Sequence, residues 1–369
     1  MKKIQEGQAI IEIDENPKVS KKLEVFYNPV MKMNRDLTVL LLNSVPNTKM
    51  QMADIMAGTG VRSMRLIKEL KKGKIKKIFV NDINSIEKIK KNFKLNKVKA
   101  NFSSEDANLF LLKSNGFDYI DVDPFGTPND FLDSSIKRIS RNGILGVTAT
   151  DTSVLCGTYP TVCKRIYWAN SFRNGFMHES SLRILARKVQ LIGAQFEKAM
   201  IPIFSYAKEH YVRLFFKCIK SKTLCEEIIK QHKYVLFNPK TLAYEVSNNN
   251  FKDNWIAIGP MYIGSLNDKN LINKMIESNK DKPNFGEAKM GASRKSEIAE
   301  ADKFLKLIYN ELDIVGSYDL HDLSKKLGVP VPSFEPIINK AKATRVHYNH
   351  NAIKTKMSVE ELRKIILSK

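Results

Sequence analysis

The sequence predicts an α/β chain built on an open, Rossmann-like sheet, with a smaller α+β region behind it. Three observations predict it. Strand-and-helix units recur from about residue 52 to residue 150. Four strands end at or just before an acid: Asp54, Asp82, Asp106 and Asp123. A Gly58-Thr-Gly60 turn follows the first of them, and Asp123-Pro124-Phe125-Gly126 ends the fourth. Ligands in open α/β sheets bind beyond the carboxyl ends of the strands, so a series of acids there marks a site.

Taken in order, the chain opens with a small β-rich extension. Ala9–Ile13 reads as a strand and Asn16-Pro17 as a turn. Phe26-Tyr27-Asn28-Pro29 places two aromatics before a proline, and Asn34-Arg35-Asp36 opens a helix whose apolar face carries Leu37, Leu40 and Leu41. Met52–Asp54 is a strand, and Ser63–Leu70 the helix after its glycine turn. Glycine lets backbone amides approach a ligand, and a helix N-terminus favours negative charge. The three-glycine dinucleotide fingerprint is absent, which argues against NAD. Asp54, before the turn, suits a methionine-derived ammonium group.

Lys76–Asp82 is the second strand, and its acid falls about 20 residues beyond the glycine turn, where ribose-binding acids sit. Ile86–Leu95 is a helix and residues 99–102 the third strand, followed by Glu105-Asp106-Ala107. An acceptor and backbone amides there suit adenine. Asp118–Val122 is the fourth strand, ended by Pro124, which cannot donate to a ladder. Asp123 beside Phe125 suits a flat, nitrogen-bearing substrate: the ring stacks and the carboxylate takes an N–H. These features predict S-adenosylmethionine as cofactor, with Asp54, Gly58 and Gly60 in its binding turn.

A helix over 131–139 and a strand over 143–150 follow. Residues 167–193 are mixed, with Glu179, Arg183 and Arg187 on one helical face. Residues 199–205 and 211–217 pair as strands closing the sheet. From 218 the chain is Lys- and Asn-rich, with strands at 234–237 and 255–258. Residues 317–340 have a helix–turn–helix cadence, with Leu320, Leu323 and Leu327 on one face and Gly328 as breaker. A winged-helix-like module fits, able to contact tRNA or DNA backbone; a purely structural helical module fits as well. Arg345, His347 and Lys354, among aromatics, suit phosphate and base contacts.

Composition narrows the class. Lys and Arg total 61 against 39 acids, a formal net charge of +22 that attracts polyanions, nucleic acid first. A generally Lys-rich proteome would account for part of it. No apolar run approaches the roughly 18 residues of a membrane span, and the N-terminus lacks a secretory pattern. Cys156, Cys163, Cys218 and Cys225 form no C-x-x-C pair and read as reduced thiols of a cytoplasmic protein.

The chain resembles the tRNA guanine-26 N2-dimethyltransferases of archaea and eukaryotes nearly end to end. The resemblance is carried by Phe26-Tyr-Asn-Pro29 with Asn34-Arg-Asp36, Ala57-Gly-Thr-Gly-Val-Arg-Ser-Met-Arg65, and Asp121-Val-Asp-Pro-Phe-Gly-Thr-Pro128. Thr148-Ala-Thr-Asp-Thr152, Leu155-Cys-Gly157, His178-Glu179, Gly259-Pro260 and Arg345-Val-His347 add to it. It implies a class I methyltransferase domain over 1–217 and a family-specific, tRNA-binding domain over 218–369. It also implies two methyl transfers from S-adenosylmethionine to one exocyclic amine. Arg35, Arg62, Asp82, Asp106 and Ala107 match cofactor positions. Asp123, with Pro124 and Phe125, matches the catalytic loop, and Phe26 and Phe125 are the expected stacking residues. Many relatives carry two C-x-x-C pairs between the strand at 211–217 and Gly259; here that region holds Cys218, directly after the strand, and Cys225, with no C-x-x-C pair, so no structural zinc is expected. The further expectations are a monomer, tRNA rather than DNA as partner, and no membrane. A nucleic-acid adenine N6-methyltransferase, or a tRNA methyltransferase acting on another guanosine, remains the alternative.

Overall fold

The protein is described here by a computed structural model covering residues 2–13, 27–280 and 292–368. The expected turn at Asn16-Pro17 and the candidate stacking residue Phe26 lie outside these residues. Contacts divide the chain into two compact units. One comprises Met1–Ala149, Phe215–Lys220 and Lys269–Lys303; the other comprises Thr150–Leu214, Ser221–Asp268 and Phe304–Lys369. Each unit is thus assembled from separated segments, and a single boundary after residue 217 does not describe the division.

In the first unit, β1 (Lys2–Glu6) and β2 (Ala9–Ile13) form an antiparallel hairpin. A short 3-10 turn at Pro29–Met31 then leads into α1 (Lys32–Ser44). The Asn28 side chain accepts from Val30 N and Pro29 occupies the first turn position, which presets the backbone for a helix. The helix therefore starts before Asn34, and Asn34, Arg35 and Asp36 lie buried in its body. Leu37, Leu40, Leu41 and Leu42 are fully buried on it, each worth about 1.5–3 kcal/mol of transfer free energy.

The strand–helix units follow as β3 (Met50–Asp54), α2 (Val61–Glu69), β4 (Ile75–Asn81), α3 (Ile86–Leu95), β5 (Asn101–Ser103), α4 (Ala107–Lys113), β6 (Phe117–Val122), α5 (Asn129–Arg138) and β7 (Ile139–Ala149). Successive neighbours β5, β4, β3, β6 and β7 pair in parallel. Strands covered by helices on both faces need continuous apolar runs, and Tyr119, Ile120 and Val122 of β6 are all buried. The chain steps outward from β3 to β5, then returns to the other side of β3 with β6. That reversal makes the carboxyl ends of β3 and β6 the switch point of the sheet.

The second unit contains α6 (Thr152–Leu155), α7 (Pro160–Tyr167), α8 (Met177–Gln195) and β8 (Lys198–Lys208), and β9 (Tyr211–Lys220) begins in it. The sheet order is β5-β4-β3-β6-β7-β9-β8. Next come α9 (Lys222–Ile229) and an antiparallel sheet of β10 (His232–Phe237), β11 (Tyr244–Ser247) and β12 (Ile256–Tyr262), with β10 central. After α10 (Lys269–Lys280) and α11 (Ala292–Asn310), the chain forms β13 (Tyr318–Asp319), α12 (Leu320–Leu327), α13 (Phe334–Lys340), β14 (Thr344–Arg345), β15 (Ala352–Lys354) and α14 (Val359–Leu367). Asp319 caps α12 through His321 N and Asp322 N, and Gly328 ends it at φ 67. Leu320, Leu323, Ile337, Ile353 and Leu362 form one core under the two helices and the β13-β15-β14 sheet. The helix–turn–helix cadence is real, and a small sheet flanks it.

Candidate active site

Side chains of the first unit converge at the switch point, and Arg62 is their hub. It is carried by the first turn of α2, just after the glycine turn. Gly60 there adopts φ 75, and a Cβ on it would lie 2.9 Å from the Phe93 ring and 3.0 Å from Ile89. Only glycine allows both the left-handed backbone and the close packing of α3. Arg62 is 6% exposed. Its Nη1 donates to Asn34 Oδ1 at 2.9 Å and Thr38 Oγ1 at 3.3 Å. Its Nη2 pairs with Asp123 Oδ2, and its Nε lies 3.4 Å from Asp121 Oδ1.

Asp54 completes the cluster. Its Oδ2 accepts from Ser63 Oγ at 2.8 Å. Burial pushes its carboxyl up to about 7, Asp121 and Asp123 add to the rise, and Arg62 and Ser63 oppose it. Asp121 is buried and accepts from Tyr119 OH. Three carboxylates thus share one guanidinium, so with all three ionised the cluster carries an excess of negative charge. Asp123 keeps partial solvent access, with its side chain 19% exposed. Pro124 is buried behind it, while Phe125 is 42% exposed. The aromatic and the carboxylate of the loop are therefore both presented to a ligand.

The other expected cofactor residues sit at neighbouring strand ends. Asp82 follows β4; its Oδ2 accepts from Gly58 N at 2.8 Å, and its Oδ1 from Asn84 N at 3.0 Å and Ser85 N at 2.8 Å. A carboxylate has about four acceptor positions, so Asp82 first ties two loops together and keeps little capacity for a hydroxyl. Asp106 is exposed and caps α4, its Oδ1 accepting from Asn108 N and Leu109 N. Ala107 is buried as the first residue of that helix.

Arg35 is differently placed. It is 6% exposed, its Nε and Nη2 form a fork on Glu6, and Nη2 also donates to Asn28 O. Arg65 Nη1 meets the same Glu6 carboxylate at 2.9 Å, and Arg65 also pairs with Asp36 and Glu69. Burial alone would raise the Glu6 carboxyl, but Arg35 and Arg65 outweigh it and bring it down to about 2. Tyr27 donates to Glu6 at 3.0 Å. Much of the Arg35 guanidinium is committed to this network, which the sequence reading did not foresee.

The expected RNA contacts divide in the second unit. Arg345 is half-exposed, with its guanidinium 3.8 Å from the Phe334 ring centroid. His347 and Lys354 are instead buried, at 9% and 5% exposed. His347 Nε2 accepts from Ala207 N, so Nδ1 carries the proton and donates to Glu311. Lys354 lies 3.3 Å from Glu179 and 3.7 Å from Glu311. Glu179 also accepts from Arg183 Nε, Tyr348 OH and Gly316 N. The interior placement of His347 and Lys354 makes them structural anchors, not exposed phosphate contacts, because their partners are buried acids.

A parallel sheet with a glycine turn after one switch-point strand and an Asp-Pro-Phe-Gly loop after the other defines a Rossmann-like, S-adenosylmethionine-dependent methyltransferase. Residues 7–367 match the family model described as N2,N2-dimethylguanosine tRNA methyltransferase, and the chain belongs to that family. It is 37% identical to the tRNA (guanine(26)-N(2)/guanine(27)-N(2))-dimethyltransferase of Aquifex aeolicus, over 99% of this chain and 95% of that protein. It is 34% identical to the tRNA (guanine(26)-N(2))-dimethyltransferase of Methanocaldococcus jannaschii, over 97% and 96%. Trm1 from Pyrococcus horikoshii, solved in complex with S-adenosyl-L-methionine, superposes with a TM-score of 0.87 at 31% identity, over 99% of both chains.

Among the described residues, no helix is long and apolar enough to cross a membrane, and no group of three or more His, Cys, Asp or Glu could hold a metal ion. The four cysteines are buried and unpaired by disulfides.

Proposed function

We propose that this protein dimethylates the exocyclic N2 amine of guanosine 26 in tRNA, with S-adenosylmethionine as methyl donor. The observation that carries the reading is Asp123, paired to Arg62 and partly open to solvent beside the exposed ring of Phe125. The named activities of relatives matched over nearly their whole length support it.

The residues fit the cofactor. The excess negative charge around Arg62, with Asp54 in it, suits an ammonium group. The backbone turn at Gly58 and Gly60 admits the chain of the ligand. Asp82 has about one acceptor position left for a ribose hydroxyl, and Asp106 with Ala107 lies at the next strand end, where the adenine would sit. Arg35 contributes through its link to Glu6. When bound, the cofactor supplies an electrophilic methyl on a good leaving group, so a weak base such as a carboxylate suffices.

The rest falls to the chain itself. The guanine N2 lone pair is delocalised into the ring, which makes the amine a poor nucleophile. Asp123 accepts one N–H and draws off its proton as the N–C bond forms. The Pro124 carbonyl accepts the other N–H, and Phe125 stacks on the base. Most of the rate then comes from holding the reacting atoms at about 3–3.5 Å. Extruding a base from the tRNA fold costs a few kcal/mol, which the basic surface, Arg345 included, offsets. After the first transfer Asp123 releases its proton to solvent, and rotation about the C2–N2 bond brings the remaining N–H to it, so the same carboxylate serves both rounds.

The reading includes a cytoplasmic monomer acting on tRNA rather than DNA, without structural zinc; a stoichiometric metal or a stable dimer in purified protein would contradict it. The test is mass spectrometry of nucleosides from unmodified tRNA incubated with the protein and S-adenosylmethionine. N2,N2-dimethylguanosine is expected, and an A26 transcript should lose it. Product retained in the A26 transcript and lost with A27 would move the site to guanosine 27. N6-methyladenosine would place the protein in the adenine class.

A further inference from the structure

Trp168, in the second unit, is used by none of the machinery described above. It ends α7 in the left-handed region, at φ 58 and ψ 37, a costly conformation for a bulky residue. It is 45% exposed. Two cations hold it there. Lys188, only 5% exposed, places its Nζ 3.0 Å from the ring centroid. Arg187 Nη1 donates to the Trp168 carbonyl at 3.1 Å.

Among the described residues, no acid neutralises either cation. Arg187 Nε is buried without a hydrogen-bond partner, and among the described residues no carboxylate pairs with Arg187 or Lys188. Arg187 is near Tyr234 and His232. Burial and Arg187 bring the His232 ring down to about 4, and its Nε2 meets Gln190 Oε1 at 2.9 Å. Burial and Arg187 also lower Lys188 to about 8. Two uncompensated cations beside an exposed indole call for a ligand that brings both a negative charge and a flat π-face. A nucleotide has both, since bases stack on aromatics and phosphates pair with guanidinium.

We propose that Trp168, Arg187 and Lys188 form a nucleotide-binding patch, where an unpaired nucleotide of the tRNA stacks its base on Trp168 and sets its phosphate against Arg187. This rests on tRNA being the substrate. Lys188 holds the inner face of the ring and raises the local positive potential, leaving the outer face for the base.

The chain has two tryptophans, so Trp255→Phe leaves Trp168 as the only indole emitter. Titrating that protein with unmodified tRNA should quench its emission, saturating at the concentrations that saturate methylation and weakening with salt. Trp168→Ala should raise KM for tRNA roughly 10-fold or more, on the scale of one lost stacking contact. Saturated kcat and the affinity for S-adenosylmethionine should stay unchanged, and Trp168→Phe should restore most of the KM. Unchanged emission at saturating tRNA, or an unchanged KM in Trp168→Ala, overturns the patch even if methylation is normal. Failure to methylate tRNA at all would overturn the function proposed above instead, and is read in a separate assay.

Discussion

Two buried networks use the same ingredients to opposite ends. Around Arg62, three carboxylates share one cation, and Asp54 is driven up to about 7, first by burial and then by its acidic neighbours. Around Glu179, two acids, Glu179 and Glu311, meet two cations, Arg183 and Lys354. There burial also works to raise Glu179, but Lys354 and Arg183 outweigh it and bring it down to about 2. Both acids are buried; the balance of neighbouring charge decides their sign. A balanced network closes on itself and holds a structure together. One in which buried acids crowd a single guanidinium, as Asp54 feels Asp121 and Asp123 beside Arg62, fits a site that receives a cationic cofactor.

Several substitutions would break or sharpen this contrast. The largest stability loss is expected for Glu179→Ala, which strands Arg183 and Lys354 in the interior. Breaking a buried pair costs about 3–5 kcal/mol, read as a lower urea midpoint. Arg62→Met leaves the three acids without their cation, at about 3 kcal/mol. That loss should shrink on going from pH 8 to pH 6, because a carboxyl can then take up a proton. An equal loss at both pH values would contradict the crowded-acid picture.

The third prediction concerns pH directly. Folded Asp54 holds a proton up to about 7, whereas an unfolded aspartate loses it near 3.9. The folded state therefore binds the extra proton within that window, and the contribution is lost as pH rises through it. Glu6 and Glu179, both brought down to about 2, act the other way: their contribution is present above about pH 4 and lost on acidification. Asp54→Asn should flatten the decline in Tm between pH 5 and 8 and leave the acid limb intact. If the decline persists in the variant, Asp54 is not its source. Smallest is Arg345→Ala: its guanidinium over Phe334 is half-exposed, so the loss should stay within about 1 kcal/mol, while tRNA affinity falls.

Much of the first unit is legible in the sequence because its signals are local. Ala9–Ile13 and Ile86–Leu95 fall where alternation and helical spacing place them. The acids at successive strand ends mark the switch-point region from the sequence alone. The Arg62 hub was legible only in part. Asp121 lies in β6 and Asp123 one residue past its end, two apart, and Asn34 and Thr38 are four apart on a helix. The link between Glu6 and Arg35 has no such signal, since it joins a hairpin to a helix through tertiary packing. His347 and Lys354 show the same limit from the other side. A basic and aromatic stretch reads as a nucleic-acid surface, but Glu179 and Glu311 lie far upstream and turn both residues inward.

The most direct test of the account is the single-turnover methylation rate of Asp123→Asn with tRNA and S-adenosylmethionine both saturating. Asparagine keeps the size of the side chain and removes its capacity to draw off the N2 proton. A fall of about 10²–10⁴-fold, the usual contribution of a positioned acid–base group, with cofactor affinity retained within a few fold, is the predicted result. A rate within a few fold of the parent protein would show that Asp123 does not carry the transfer.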